Sequence, residues 1–102
     1  MIHVLTTISS TSGNREALVT ELKRLVPVVR AEDGCIAFSP AVDAPSKVAN
    51  QQSPRSDTVV VVEQWRDLAA LQAHLKAPHL VAHRERVKSL VQALQLQVLQ
   101  AV

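Results

Sequence analysis

TVVVVEQWRDLAALQAHLKAPHL, residues 58–80, passes from one structural period to another within a single stretch. Its first eight residues, Thr58 to Trp65, favour extended backbone, and four consecutive valines predict a strand buried on both faces. Asp67 then stands where a helix N-cap belongs, its short carboxylate within reach of the N–H groups of the first turn. Leu68, Leu71 and Leu75 follow at helical spacing, so an apolar stripe of period 3.6 replaces the strand. Pro78 interrupts this helix, and His79 begins another that extends to about Ala93. Leu80, Val87, Leu90 and Leu94 form its buried side, with His83 close to the same stripe.

Upstream, IHVLTTIS (residues 2–9) alternates as a strand does, and Ser10 to Asn14 form a turn. Leu18, Leu22, Leu25 and Val29 predict a helix over about 14–31, with Glu16 near its positive end and Pro27 as an internal irregularity. EDGC closes that helix: Gly34 supplies the corner before Cys35, Ile36, Ala37 and Phe38 begin a second strand. Residues 39–57 contain three prolines and many small polar residues and read as an extended loop between strands 2 and 3. The tail LQLQVLQAV has an approximate period of two and predicts a final strand. The order is therefore βαβ, a long connection, then βααβ. An α+β fold results, with a ferredoxin-like four-stranded antiparallel sheet and helices on one face, in a single domain spanning 1–102. The bare sheet face needs cover, and a homodimer packed sheet to sheet supplies it.

A chain of 102 residues with 47% apolar and 20% charged side chains has the balance of one globular core, filled by Val, Leu and Ala in place of aromatics. A net charge of +2, with no aromatic residues among the basic ones of HRERVKS (83–89), argues against nucleic acid. The single cysteine excludes an internal disulfide and a cysteine-rich zinc site, and fits a reducing compartment. No uncharged apolar run of membrane-spanning length occurs, so a cytoplasmic protein without a membrane partner is expected. No glycine-rich phosphate loop occurs either.

SGNREAL, LVPVVRAEDGCIAF, VVVVEQWRDLAALQAHL and APHL, in this order, make the chain resemble the antibiotic biosynthesis monooxygenase domain family, which includes small quinol monooxygenases. The resemblance implies a dimeric α/β barrel with a pocket between the sheet and helices of each subunit. It also implies oxygenation of electron-rich phenols or hydroquinones by molecular oxygen, with neither a bound cofactor nor a metal. A non-catalytic ligand-binding or accessory protein of the same fold is the alternative. Haem degradation is disfavoured, because Thr6, His74 and Arg84 stand where the haem-cleaving branch looks to asparagine, tryptophan and histidine.

Against this background His79 is the candidate catalytic base. At a helix start a neutral imidazole accepts a hydroxyl proton, and the helix dipole disfavours its charged form; its packing role would be to fix the PHL turn. Trp65 either walls a pocket for a small planar aromatic substrate or locks strand to helix. His74 lies beside the leucine stripe, at a pocket rim or in solvent. His83 is one turn beyond His79, but two histidines are too few for a metal site without a third ligand, for which His3 and Glu63 are the candidate strand additions. Arg84 suits a carboxylate or a developing oxyanion, or else the solvated side of its helix. Thr6 and Thr7 face opposite sides of the first strand, so the pleat decides which of them reaches a ligand. Cys35 reads as a small buried hydrophobe.

Overall fold

The alternation in β1, Ile2–Ser10, gives it one buried face: Ile2, Val4, Thr6, Ile8 and Ser10 turn inward and the residues between them outward. The computed structural model describes residues 1–102, and the remaining elements follow in the expected order. They are α1 (Arg15–Arg30), β2 (Cys35–Ala41), β3 (Thr58–Trp65), α2 (Leu68–Lys76), α3 (Pro78–Val87), a 3-10 turn at Lys88–Leu90, and β4 (Val91–Gln100). The strands form one antiparallel sheet in the order β2-β3-β1-β4, with the helices on one face. Leu18, Leu22, Leu25 and Val29 of α1 bury themselves against Val59, Val61 and Trp65 of β3 and the inward residues of β1.

The sheet is open, which corrects the expected dimeric α/β barrel. Its edges are β2 and β4, two strands apart and unpaired with one another. Four strands are too few to curl into a closed cylinder, for which about eight are usual. Pro40, which has no N–H to donate, lies on the β2 edge.

The four valines of β3 divide between the faces. Val59 and Val61 are buried beneath the helices, whereas Val62 is exposed on the open face. β2 continues through Pro40 and Ala41, so the irregular connection begins at Val42. It is drawn together by Asp43 and Arg55, whose paired hydrogen bonds measure 2.8 and 3.0 Å, and Arg15 of α1 donates to the Arg55 carbonyl at 3.0 Å.

α2 starts at Asp67, whose carboxylate accepts from the Ala70 N–H at 2.9 Å as an N-cap should. Its buried face is Ala70, Leu71 and His74, while Leu68 is exposed. Chain reversal after Val87 ends α3 earlier than the apolar spacing predicts, and Leu94 belongs to β4. Leu94, Leu96 and Val98 pair with Ile8, Thr6 and Val4 and so share their face of the sheet. They stay exposed because β4 lies at an edge that the helices do not cover.

Gly34 fixes how the end of α1 meets α2. It occupies the third position of a turn closed by the Cys35 N–H on the Glu32 carbonyl, at φ +83°. Its own carbonyl accepts from Arg66 at 2.8 Å, and a Cβ here would stand 2.5 Å from that of Ala70.

Candidate active site

Val4, Thr6 and Ile8 of β1 lie beside Val61 and Glu63 of β3, and the helices close over them to leave a cavity of about 120 Å³. Fourteen of its nineteen lining residues are hydrophobic, and the polar remainder is Thr6, Glu63, His74, His83 and Arg84. The exposed residues Leu94, Leu96 and Arg84 border its open side. An apolar chamber with a few convergent polar groups is the usual form of a small-molecule site.

Glu63 is buried because period two places it on the inner face of β3 with Val61 and Trp65. Its carboxylate is held by two donors: the Thr6 hydroxyl at 2.9 Å and the Trp65 indole N–H at 3.0 Å. Charge-assisted hydrogen bonds of this kind offset the cost of burying a carboxylate and fix its orientation at the cavity wall.

The second polar group spans three elements. Glu32, in the turn after α1, offers Oε2 to His74 Nδ1 at 2.8 Å and to His79 Nε2 at 2.9 Å. His74 is only 3% exposed, its ring 4.6 Å from that of Trp65 and 5.9 Å from Phe38. A carboxylate on Nδ1 favours the tautomer with the proton there, which leaves Nε2 of this cavity-lining ring as the acceptor. His79 lies on the other side of Glu32, in a shallow surface opening shared with Asp33 and Arg66. Glu32, His74 and His79 are also the residues whose donor atoms, all within 4.8 Å of one another, can hold a metal ion.

His83 lines the cavity with its Nδ1 buried and unpartnered. Burial, reinforced by the nearby Arg86 cation, pushes its pKa below the ordinary imidazole value and keeps the ring neutral near pH 7. Arg84 donates from Nη1 to the Leu75 carbonyl at 3.3 Å, tying α3 to the end of α2. Burial, and then the charges of Glu32 and Glu63, push the Cys35 thiol up, which disfavours a reactive thiolate.

The structure thus brings Thr6, His74, His83 and Arg84 to one cavity and stacks Trp65 behind it. It does not bring Thr7, which sits on the opposite face of β1 opposite Val60. Nor does His79 reach the cavity or pair with His83; its partner is Glu32, and through it His74. His74 is buried rather than at a rim. His3 bonds Gln64 at 3.2 Å on the open face, away from both groups.

Glu32 and the anchoring role of Glu63 lie outside the sequence expectation. Glu63 carried a signal, standing two residues before Trp65 on the same strand face. Glu32 carried almost none, since its partners are 42 and 47 residues away.

Residues 1–86 match the family model for antibiotic biosynthesis monooxygenase. Over 102 residues the chain is 36% identical to "Probable quinol monooxygenase YgiN" of Escherichia coli (strain K12), covering 98% of this chain and 97% of that protein. The crystal structure of PA3566 from Pseudomonas aeruginosa superposes with a TM-score of 0.80 at 30% identity, covering 99% of this chain and 93% of that one. Rv0793 from Mycobacterium tuberculosis shares the fold at a TM-score of 0.80 and 24% identity, over 99% of this chain and 94% of that one. Neither the fold nor any single residue would suffice, but a match across both helical and strand segments does: the chain belongs to the antibiotic biosynthesis monooxygenase family.

Proposed function

We propose that the chain is a monooxygenase that oxidises a hydroquinone or related phenol with molecular oxygen, and that His74 is its base. The observation that carries this reading is the cavity itself, an apolar slot with a carboxylate-oriented imidazole in its wall. A volume of about 120 Å³ falls somewhat short of the ~150 Å³ of a cavity that holds benzene, so a single ring would sit partly inside and partly in the open side. Further rings of a polycyclic phenol extend toward Leu94 and Leu96 at the open side.

The chemistry follows from the positions of the groups. His74 Nε2 takes the substrate hydroxyl proton, and Glu32 stabilises the imidazolium that results. The phenolate gives electrons to oxygen more readily than the phenol does. One oxygen atom then enters the ring and the other leaves as water, so a hydroquinone departs as its hydroxylated quinone. The substrate supplies all four electrons that dioxygen consumes, and the stoichiometry closes without an external reductant. In this reading neutral His83 and the Arg84 cation, both in the cavity lining, would meet the developing oxyanion. His79 acts as a positioning residue, donating to the same Glu32 oxygen and so holding it against His74.

A second copy of the chain is the partner we propose for the open sheet face, where Val62 and Leu99 are exposed. The lone Cys35 thiol suits the cytoplasm. The test is oxygen uptake with a panel of hydroquinones and polycyclic phenols under isotopically labelled oxygen, corrected for spontaneous oxidation. Protein-dependent uptake with one labelled atom in the product is expected. Saturable binding without turnover across the panel would refute the enzyme reading in favour of a ligand-binding protein.

A further inference from the structure

We propose that Glu32, His74 and His79 form a binding site for a divalent transition-metal ion of the zinc type. Two imidazoles and one carboxylate are a borderline donor set suited to zinc, which commonly takes three protein ligands and leaves a position for water. The three donors come from separate elements: the turn after α1, α2 and α3. His74 Nδ1 and His79 Nε2 lie 2.8 and 2.9 Å from the same Oε2, and all three atoms fall within 4.8 Å of one another. Bonds of about 2.0–2.2 Å to one ion require these donors roughly 3.3 Å apart. To reach that spacing the Glu32 carboxylate must turn out of its two short contacts and the partly exposed His79 ring must move toward the fixed His74.

The surroundings favour this. Trp65 and Phe38 hold the His74 ring, so the first ligand is already ordered. The shallow opening beside Glu32 and His79 gives an ion a route in and room for its water. Arg66 borders the same opening, but its charge is engaged by Asp33 at 3.2 Å and Asp67 at 3.1 Å.

Occupancy has a consequence that rests on the reading of His74 as the base. Coordination through Nδ1 moves the proton of the neutral ring to Nε2. The atom that accepts a substrate proton becomes a donor, and the bound ion switches the site off.

The experiment titrates the full chain, first treated with chelator, with cobalt(II) chloride and follows the visible d–d absorption. One saturating equivalent is expected, displaced by zinc(II). Glu32→Gln and His79→Gln should each weaken binding at least about tenfold, whereas Asp33→Asn, in the same opening but not a donor, should leave it within about twofold. In the unsubstituted protein, diamagnetic zinc(II) should shift the ring protons of His74 and His79 and leave those of His3 in place, a readout that no misfolded variant can obscure. Binding without saturation at one equivalent, or shifts that miss His74 and His79, would overturn the site. One equivalent of zinc should lower hydroquinone turnover at least tenfold, with recovery on adding chelator. Full turnover by the zinc-loaded protein would overturn the switch. An absence of turnover with and without zinc would count against the proposed reaction and leave the metal site to stand on its spectrum.

Discussion

Gly34→Ala should destabilise the fold much more than Gly13→Ala, although both glycines have positive φ, +83° and +76°. Each substitution places a side chain in left-handed backbone, which costs about 1–2 kcal/mol. At Gly13 nothing lies within 4 Å of the added Cβ, so that cost is nearly the whole effect. At Gly34 the new atom would stand 2.5 Å from Ala70 Cβ, forcing α2 away from the turn and adding about 1–3 kcal/mol of overpacking. The difference between the variants corresponds to roughly 10 °C in Tm for a domain of this size. Urea and thermal unfolding measure it through the fluorescence of Trp65, the only tryptophan, which is fully buried. The displaced α2 carries His74, so the His74 to Glu32 hydrogen bond should weaken in the folded variant as well. Equal unfolding midpoints for the two variants would refute the claim that contact with α2 sets the turn.

Replacing Glu63 by Leu strands the Trp65 indole N–H and the Thr6 hydroxyl, each costing about 1–3 kcal/mol when buried unpaired. Glu63→Gln keeps a partner for both and should lose much less in urea unfolding. Arg55 holds Asp43 down to about 2 by hydrogen bonds from its guanidinium and backbone N–H. Because this carboxyl is depressed in the folded state, its contribution is present above the ordinary value of 3.8 and is lost as pH falls through about 2. Carboxyl carbon NMR should show that midpoint, and Arg55→Gln should return it toward 3.8. The His83 ring should titrate below an ordinary imidazole by proton NMR. The folded state therefore loses stability as pH falls from the ordinary imidazole range through the depressed value, because the proton then charges a buried ring.

The elements were legible because each carries its own local signal. Valine runs, the Asp67 cap, Pro78 and the alternation of the tail all act within a few residues. The openness of the sheet was not legible, since it depends on which strand edges meet. The half-exposure of the valine run likewise depends on where the helices lie: Val59 and Val61 face them and Val62 does not. In the site, strand alternation separated Thr6 from Thr7 without saying which faces inward, and the helical spacing put His83 close to the apolar stripe that borders the cavity. His74 reaches the cavity as one of its expected alternatives had it, but its burial was not legible, because a lone histidine at a helix end reads as polar while the burial comes from Trp65, Phe38 and Glu32 arriving from three other segments. The PHL turn correctly marked a helix start at Pro78, yet the helix directs His79 away from the cavity, which no pattern in that turn reveals.

Single-turnover oxidation of an anaerobically bound hydroquinone, started by mixing with oxygenated buffer, tests the central claim most directly when His74→Gln is compared with the parent chain. Glutamine can fill the space and hydrogen-bond Glu32, but it cannot take up the substrate proton. The account predicts unchanged substrate affinity and an oxidation rate about 10²–10⁴-fold lower, whereas equal rates in the two proteins would contradict it.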